Sequence, residues 1–565
     1  ASFLNNLNIL LLTYNSKLKL ETREKIKNHN ITNVEVHSYH SFCVKYYNNK
    51  CFTDTEIKKI LKNKTKPLKS FNYDLIVLDE GQDITCLYFE LVCKIYNDNK
   101  NINTQLCIFG DINQAIFDFN NADKRYIEYA SEIFNFNLTY NWIKCNLSIS
   151  FRITREMALF INKCLLHHKR ITSNKVTNNK PRYIICDSFG SKTASRPLLE
   201  IQHYLKKGYK PSDIFVLAPS IKSRSSAARQ LENRIKLTLP DVLVFVPSKE
   251  DKTVNEELLK DKIVFSTFHQ TKGLERKVVI IFGFDESYFR YYKKDVNPNI
   301  CPNELYVATT RGIEHLTVFH HYTNDFLPFI NKDKLERYCN VEGSDILRVK
   351  EVYQSNNSID TPVTDCINFL PQDIVDYCFS KLIIKENEHF IYNKIDIPLT
   401  TSNDESTESV SEITGIAIPS MFEYKIKNRM LIYEHLIAEH FENNLICKRD
   451  IVENIKLKPK KHHLDKIDMT NLTIIQLLYI ANCWNTYKSG YLYKLYQISN
   501  YTWLSPENLN KCIDRMAKLN ITNDSIFEKS ITIVDTKEIL NRKLKGYIDC
   551  YDNNLYWELE DKWSA

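Results

Sequence analysis

"DLIVLDEGQDIT", residues 74–85, decides the fold. Four aliphatic residues, Leu75 to Leu78, break off into Asp79, Glu80, Gln82 and Asp83. A short apolar run with polar ends reads as a strand buried on both faces, the kind found in parallel sheets. In such sheets ligands sit at the carboxyl ends of the strands. Three carboxylates there need a cation. The first can hold Mg²⁺ beside a nucleotide's phosphates, and the adjacent Glu can polarise an attacking water. The bland alternative is a solvated helix start, which favours Asp and Glu in any case.

The same pattern recurs on both sides. "NILLLTY" (8–14) and "TQLCIFGD" (104–111) read as further strands, and "CLYFELVCKIYND" (86–98) reads as a helix between two of them. Strands are expected again at 182–187, 213–220, 242–248, 262–268, 277–284 and 315–321, with an amphipathic helix at 225–237. Buried strands alternating with helices predict α/β architecture with parallel sheets. Residues 399–413, "LTTSNDESTESVSEI", have the composition of a flexible linker. A helix at 430–444 and a hairpin at 544–563 follow.

The totals set limits. The chain has 565 residues, too many for one core, so three or four domains are expected. The net charge of +7 suits a nucleic-acid partner without requiring one. The 16 cysteines include no C-x-x-C pair, which argues against zinc ribbons and for reduced thiols in an intracellular protein. No stretch of 18 apolar residues is present, so no transmembrane helix is expected. The abundance of Asn, Lys, Ile, Tyr and Phe follows AT-rich codons and has no bearing on chemistry.

Several weak signals become strong in order. "LTYNSK" (12–17), "SYHSFC" (38–43), "DEGQD" (79–83), "GDINQAIF" (110–117), "LSISFR" (147–152), "TFHQTKGLE" (267–275) and "LYVATTR" (305–311) resemble motifs Ia, Ib, II, III, IV, V and VI of superfamily 1 helicases of the UvrD/Rep group. Singly, Lys272 and Arg311 would be surface charges and Phe119 as much a core residue as a base contact. Seven motifs in the family's order are far more specific.

The resemblance implies two RecA-like motor domains of the P-loop NTPase fold, a partial 1A at 1–146 and 2A at 147–335. A connecting region follows at 336–414, then an α+β C-terminal region at 415–565. It implies ATP and Mg²⁺ as cofactors. Asp79 would hold the metal, Glu80 the water, and Gln114 would sense the γ-phosphate. Arg152 and Arg311 would reach that phosphate from the second domain, with Glu275, Lys272 and Gly273 also at the nucleotide. Single-stranded or partly duplex DNA would stack on Tyr14, Phe117 and Phe119, with Ser38, His40, Thr267 and His269 on its backbone. The group moves 3′→5′ and serves replication, repair or recombination, in a cytoplasmic, nuclear or viral replication compartment.

The chain also departs from the pattern. Asn120 stands where the family commonly has Arg. Only about 115 residues separate Arg152 from Thr267, which leaves no room for a 2B insertion, and 44–73 leave little for a 1B domain. No G-x-x-x-x-G-K-[ST] loop occurs. In the family it precedes the helix before motif Ia, so the expectation is a truncated N-terminus and weak ATP binding by the chain as given.

"LKGYIDCYDNNLYWELE" (544–560) resembles a PD-(D/E)XK nuclease of restriction-endonuclease-like fold, with Asp549 and Glu558 as metal ligands. Glu560 occupies the position of the expected Lys, and Lys562 comes two residues late. An ordinary polar hairpin is the competing reading. Three functions remain open: a DNA helicase or translocase, a non-catalytic nucleic-acid-binding protein with a degenerate motor, and a nuclease fed by the motor.

Overall fold

The computed structural model describes residues 6–14, 16–117, 121–136, 141–190, 195–221, 226–247, 256–294, 296–349, 359–362, 374, 377, 380–381, 395–402, 406–442, 463–519, 521–533, 542–552 and 555–557. The first sheet is built from β1 (Ile9–Thr13), β2 (Val34–Ser38), β3 (Leu75–Leu78) and β4 (Gln105–Ile108). Their order is β2-β1-β3-β4 and every pairing is parallel. Leu10, Leu12, Ile76 and Leu78 point to one face. There they join Phe42, Ile57, Leu91 and Ile95 in a single core. Period-two alternation along the strands and helical spacing on Cys86–Asp98 meet in that core.

The second sheet has seven parallel strands: β5 (Arg182–Cys186), β6 (Ile214–Ala218), β7 (Leu243–Phe245), β8 (Lys262–Thr267), β9 (Arg276–Ile281), β10 (Gly312–His321) and β11 (Asn340–Glu342). Their order is β11-β5-β10-β9-β6-β8-β7. Both faces are covered. Helices Arg155–Phe160 and Asn303–Thr309 lie over one core, Arg196–Lys206 and Ala227–Thr238 over the other. This explains why these strands read as unbroken apolar runs. β2 escapes a sequence reading because Glu35 and His37 interrupt its apolar residues, and β11 because it is three residues long.

Two expectations need correction. Residues 399–413 are not a free linker. β13 (Thr400–Ser402) and β14 (Thr407–Ser409) pair as an antiparallel hairpin, and a helix begins at Ser411. The acidic composition misled because Glu408 is buried opposite Lys262, their charged atoms 2.7 Å apart. The boundary drawn between 414 and 415 therefore falls inside the helix Ser411–Lys427. Ile395, Ile397 and Val410 already belong to the C-terminal core. The expected hairpin near 544 exists within a larger sheet. β15 (Ile526–Ile533) and β17 (Leu555–Trp557) pair antiparallel with β16 (Arg542–Asp552), and β12 (Ile359–Pro362) pairs parallel with it.

Candidate functional site

The carboxyl ends of the first sheet converge on one edge. Asp79 follows β3, its amide bonded to the Leu12 carbonyl at the end of β1. Glu80 has a left-handed backbone (φ 56°), which turns the chain sharply into Gly81–Asp83. Gly110, after β4, packs so closely that a Cβ there would lie 2.4 Å from Gln82 Oε1. Gln82 is buried between the two loops. Its amide donates to Glu80, and its Oε1 accepts from the Asp111 amide at 2.9 Å. Gln82 has no motif role of its own, and its side chain ties Glu80 to the loop after β4.

Asp79 is mostly withdrawn from water, and burial followed by the charge of Glu80 pushes its carboxyl up to about 6. Lys272 Nζ lies 3.7 Å from Glu80 but sits on Asp83, 2.7 and 2.5 Å from its two oxygens. It also donates to the Gln114 carbonyl at 2.8 Å. The loop after β8 thus reaches across to the first domain. Gly273, next to Lys272, supplies the positive φ of 83° that this turn needs.

The second sheet also contributes from its opposite edge. Arg311 immediately precedes β10, and Glu275 immediately precedes β9. The carboxyl-end rule therefore misses Arg311 and Glu275, although it finds the loop after β8 that carries Lys272. Arg311 is buried and donates to Gln114 Oε1 at 3.3 Å and to the Val307 carbonyl at 3.0 Å. Burial and the like charge of Arg152 pull its guanidinium down to about 10. Arg152 pairs with Glu275. Asp79, Glu80, Gly110, Asp111, Gln114 and Arg152 all line one cleft of about 1260 Å³ between the two sheets.

Asp111 joins the domains in a way no motif foretold. Arg170 reaches it at 2.8 Å, the Tyr306 hydroxyl at 3.4 Å and Gln114 Nε2 at 3.2 Å. Asn303 donates to the carbonyls of Ile112 and Ala115 at 3.1 and 2.9 Å. Arg170 carries no sequence signal. Its loop is held by the buried Asn162, which accepts from the Arg170 and Ile171 amides. Phe151, beside Arg152, is 90% exposed, an unusual state for such a ring.

The expected DNA face is partly assembled. Tyr14 and Phe117 lie nearly parallel, 9° apart, with centroids at 6.0 Å, and Lys272 stands 5.0 Å from the Phe117 ring centre. His40 contacts Asp54 at 3.0 Å. Thr267 Oγ1 donates to Gln270 Oε1 at 3.2 Å, and His269 lies 3.7 Å from Glu304. Ser38 is buried and caps the helix Tyr39–Tyr46 in a reciprocal pair with Ser41. Phe119, Glu558 and Glu560 fall outside the described residues, as does the side chain of Asp549, whose backbone lies in β16.

The chain is similar in sequence to known proteins. Residues 55–135, which contain β3 and β4, match the UvrD/REP helicase N-terminal domain. A protein of Acanthamoeba polyphaga mimivirus, described as an ATP-dependent DNA helicase, is 24% identical over 571 residues, covering 95% of this chain and 71% of its own length. A Mycoplasma capricolum protein described as a DNA helicase II homologue is 32% identical over 150 residues, 26% of this chain and 19% of its own.

Proposed function

Taking the chain as a UvrD/Rep-type DNA helicase, we propose that it is an ATP-dependent motor that steps along single-stranded or partly duplex DNA in the 3′→5′ direction. The observation that carries this is the meeting of Asp79 and Glu80 with Gln114, Arg152 and Arg311 across one cleft. A carboxylate pushed up to about 6 by burial is relieved by a cation, so the donor set of Asp79 and Glu80 fits Mg²⁺. Mg²⁺ would offset phosphate charge in the bound nucleotide. Glu80, held by Gln82, would orient the attacking water. Arg311 and Arg152 would stabilise the charge that develops on the transferred phosphoryl group. Gln114 accepts from Arg311 and donates to Asp111, so it would report phosphate occupancy to the interdomain contacts.

Bases would stack on Tyr14 and Phe117, which suits a motor indifferent to sequence. The C-terminal sheet would add metal-dependent cleavage through Asp549, and loss of any cleavage in Asp549→Asn tests that part. The test of the motor is ATP turnover with and without a single-stranded oligonucleotide. Stimulated turnover in the wild type, lost in Glu80→Gln, supports the reading. Oligonucleotide binding without turnover would favour a nucleic-acid-binding protein instead.

A further inference from the structure

Tyr88 has no place in any motif, yet it stands at the centre of the aromatic face. It projects from the helix Cys86–Asp98. On one side it stacks on the buried Tyr39, with ring centres 4.4 Å apart and planes within 7°. On the other it meets Tyr14 edge-on at 6.3 Å. Its hydroxyl donates to Asp54 Oδ1 at 3.1 Å. His40 Nε2 approaches the same oxygen at 3.0 Å, and the His40 ring lies edge-on to Tyr88 at 6.1 Å. Tyr14 in turn faces Phe117, and Lys272 stands beside that ring. One continuous ladder therefore runs from the core of the first domain to the residue that bridges into the second.

This arrangement has a physical consequence. A ring that binds a base by stacking loses affinity if it must first be ordered, because ordering a free side chain costs conformational entropy. Tyr14 lies just past the end of β1, and its two ring neighbours, Tyr88 and Phe117, restrict it from different directions. Tyr88 is itself fixed at both ends, by Tyr39 under its ring and by Asp54 at its hydroxyl. The shared Asp54 also keys His40 to the same support.

We propose that Tyr88 is a positioning residue for single-stranded nucleic acid, holding Tyr14 in register for a strand that crosses the first domain. The proposal rests on the functional reading above and makes it more specific, because it puts the order of the base platform outside the motifs.

The test is the affinity of the whole chain for a fluorescent oligothymidylate, measured with salt titrations in the wild type, Tyr14→Ala, Tyr88→Leu, Tyr88→Phe and the double variant Tyr14→Ala/Tyr88→Leu. Tyr88→Leu should weaken binding about tenfold, the scale of one lost stacking contact, and leave the salt slope unchanged because no phosphate contact is removed. Tyr88→Phe keeps the ring and should stay within about threefold of wild type. That variant keeps the proposal testable if Tyr88→Leu folds poorly. The double variant should be no weaker than Tyr14→Ala alone, since both act through one platform. Wild-type affinity in a folded Tyr88→Leu, or additive losses in the double variant, would overturn the proposal while leaving the motor reading intact. No binding by the wild type would overturn both.

Discussion

Among the described residues two internal junctions stand out, and they are built differently. The cleft between the two sheets is crossed by charged and polar groups: Lys272 on Asp83, Arg170 on Asp111, Arg311 on Gln114 and Asn303 on two carbonyls. The core of the first domain draws on residues up to 142 and shares none with the second. The junction between the second domain and the C-terminal unit mixes its cores. Leu237 packs into the C-terminal core, and Tyr491 and Tyr493 pack into the second domain's. Gln497 completes it, donating to the Val244 carbonyl at 3.0 Å and accepting from the Val244 amide at 2.9 Å. A side-chain amide thus pairs with the outer strand β7 as another strand would. Polar contacts can be exchanged for those of a charged ligand at modest cost, whereas buried apolar area cannot. A junction whose contacts a charged ligand can replace is built the first way. One that joins an accessory unit permanently is built the second.

The largest effect should come from the seam. Glu408→Ala strands the Lys262 ammonium, which is fully buried, and should cost about 3–5 kcal/mol in thermal or urea unfolding. Replacing both partners, Lys262→Met with Glu408→Leu, should recover most of that loss. If the single variant melts like wild type, the seam is not sealed as described. Gln497→Ala comes next. It leaves the two Val244 groups without their partner and should cost about 1–3 kcal/mol, with faster amide exchange at Val244.

The third prediction concerns pH. Glu232 is buried in the seam and accepts from the Leu492 amide at 3.0 Å; burial pushes its carboxyl up to about 8. A carboxyl raised in the fold binds its proton more tightly there than in the unfolded chain. Its contribution is therefore present at low pH and is lost as pH rises from about 4.5 to about 8. Lys236 beside it is pulled down to about 8 by burial, so its opposite slope begins only above that. Stability measured between pH 5 and 8 should fall with rising pH, by at most about 1.4 kcal/mol per unit from this group. Glu232→Gln should flatten that fall, and an unchanged slope would remove Glu232 as its source.

The smallest effect belongs to the cleft. Arg170→Ala breaks a partly exposed pair with Asp111 and should change unfolding by less than about 1 kcal/mol, less still at high salt. A loss as large as that of Glu408→Ala would erase the contrast between the junctions.

Much of this was legible in advance. Nine of the strands followed from apolar runs of the right length, because a strand buried on both faces leaves that mark. The set Asp79, Glu80, Gln114, Arg152 and Arg311 was legible only as ordered motifs; the fold brings the first four to one cleft and bonds Arg311 to Gln114. Ser38 caps a helix, and a cap asks for the same residue type as a backbone contact, so its type alone could not tell the two apart. The hairpin at 400–409 went astray because composition cannot report that an acidic residue has a buried partner far away in sequence.

By itself the sequence determined two parallel α/β sheets and the order of the motifs at their edges, since strand periodicity and motif spacing are local and written along the chain. The tertiary structure alone decided that Arg170 closes on Asp111, that Tyr88 meets Tyr14, and that Gln497 seals β7. Each joins residues distant in the chain through single side chains, and a lone Arg, Tyr or Gln has no pattern until the fold supplies its partner.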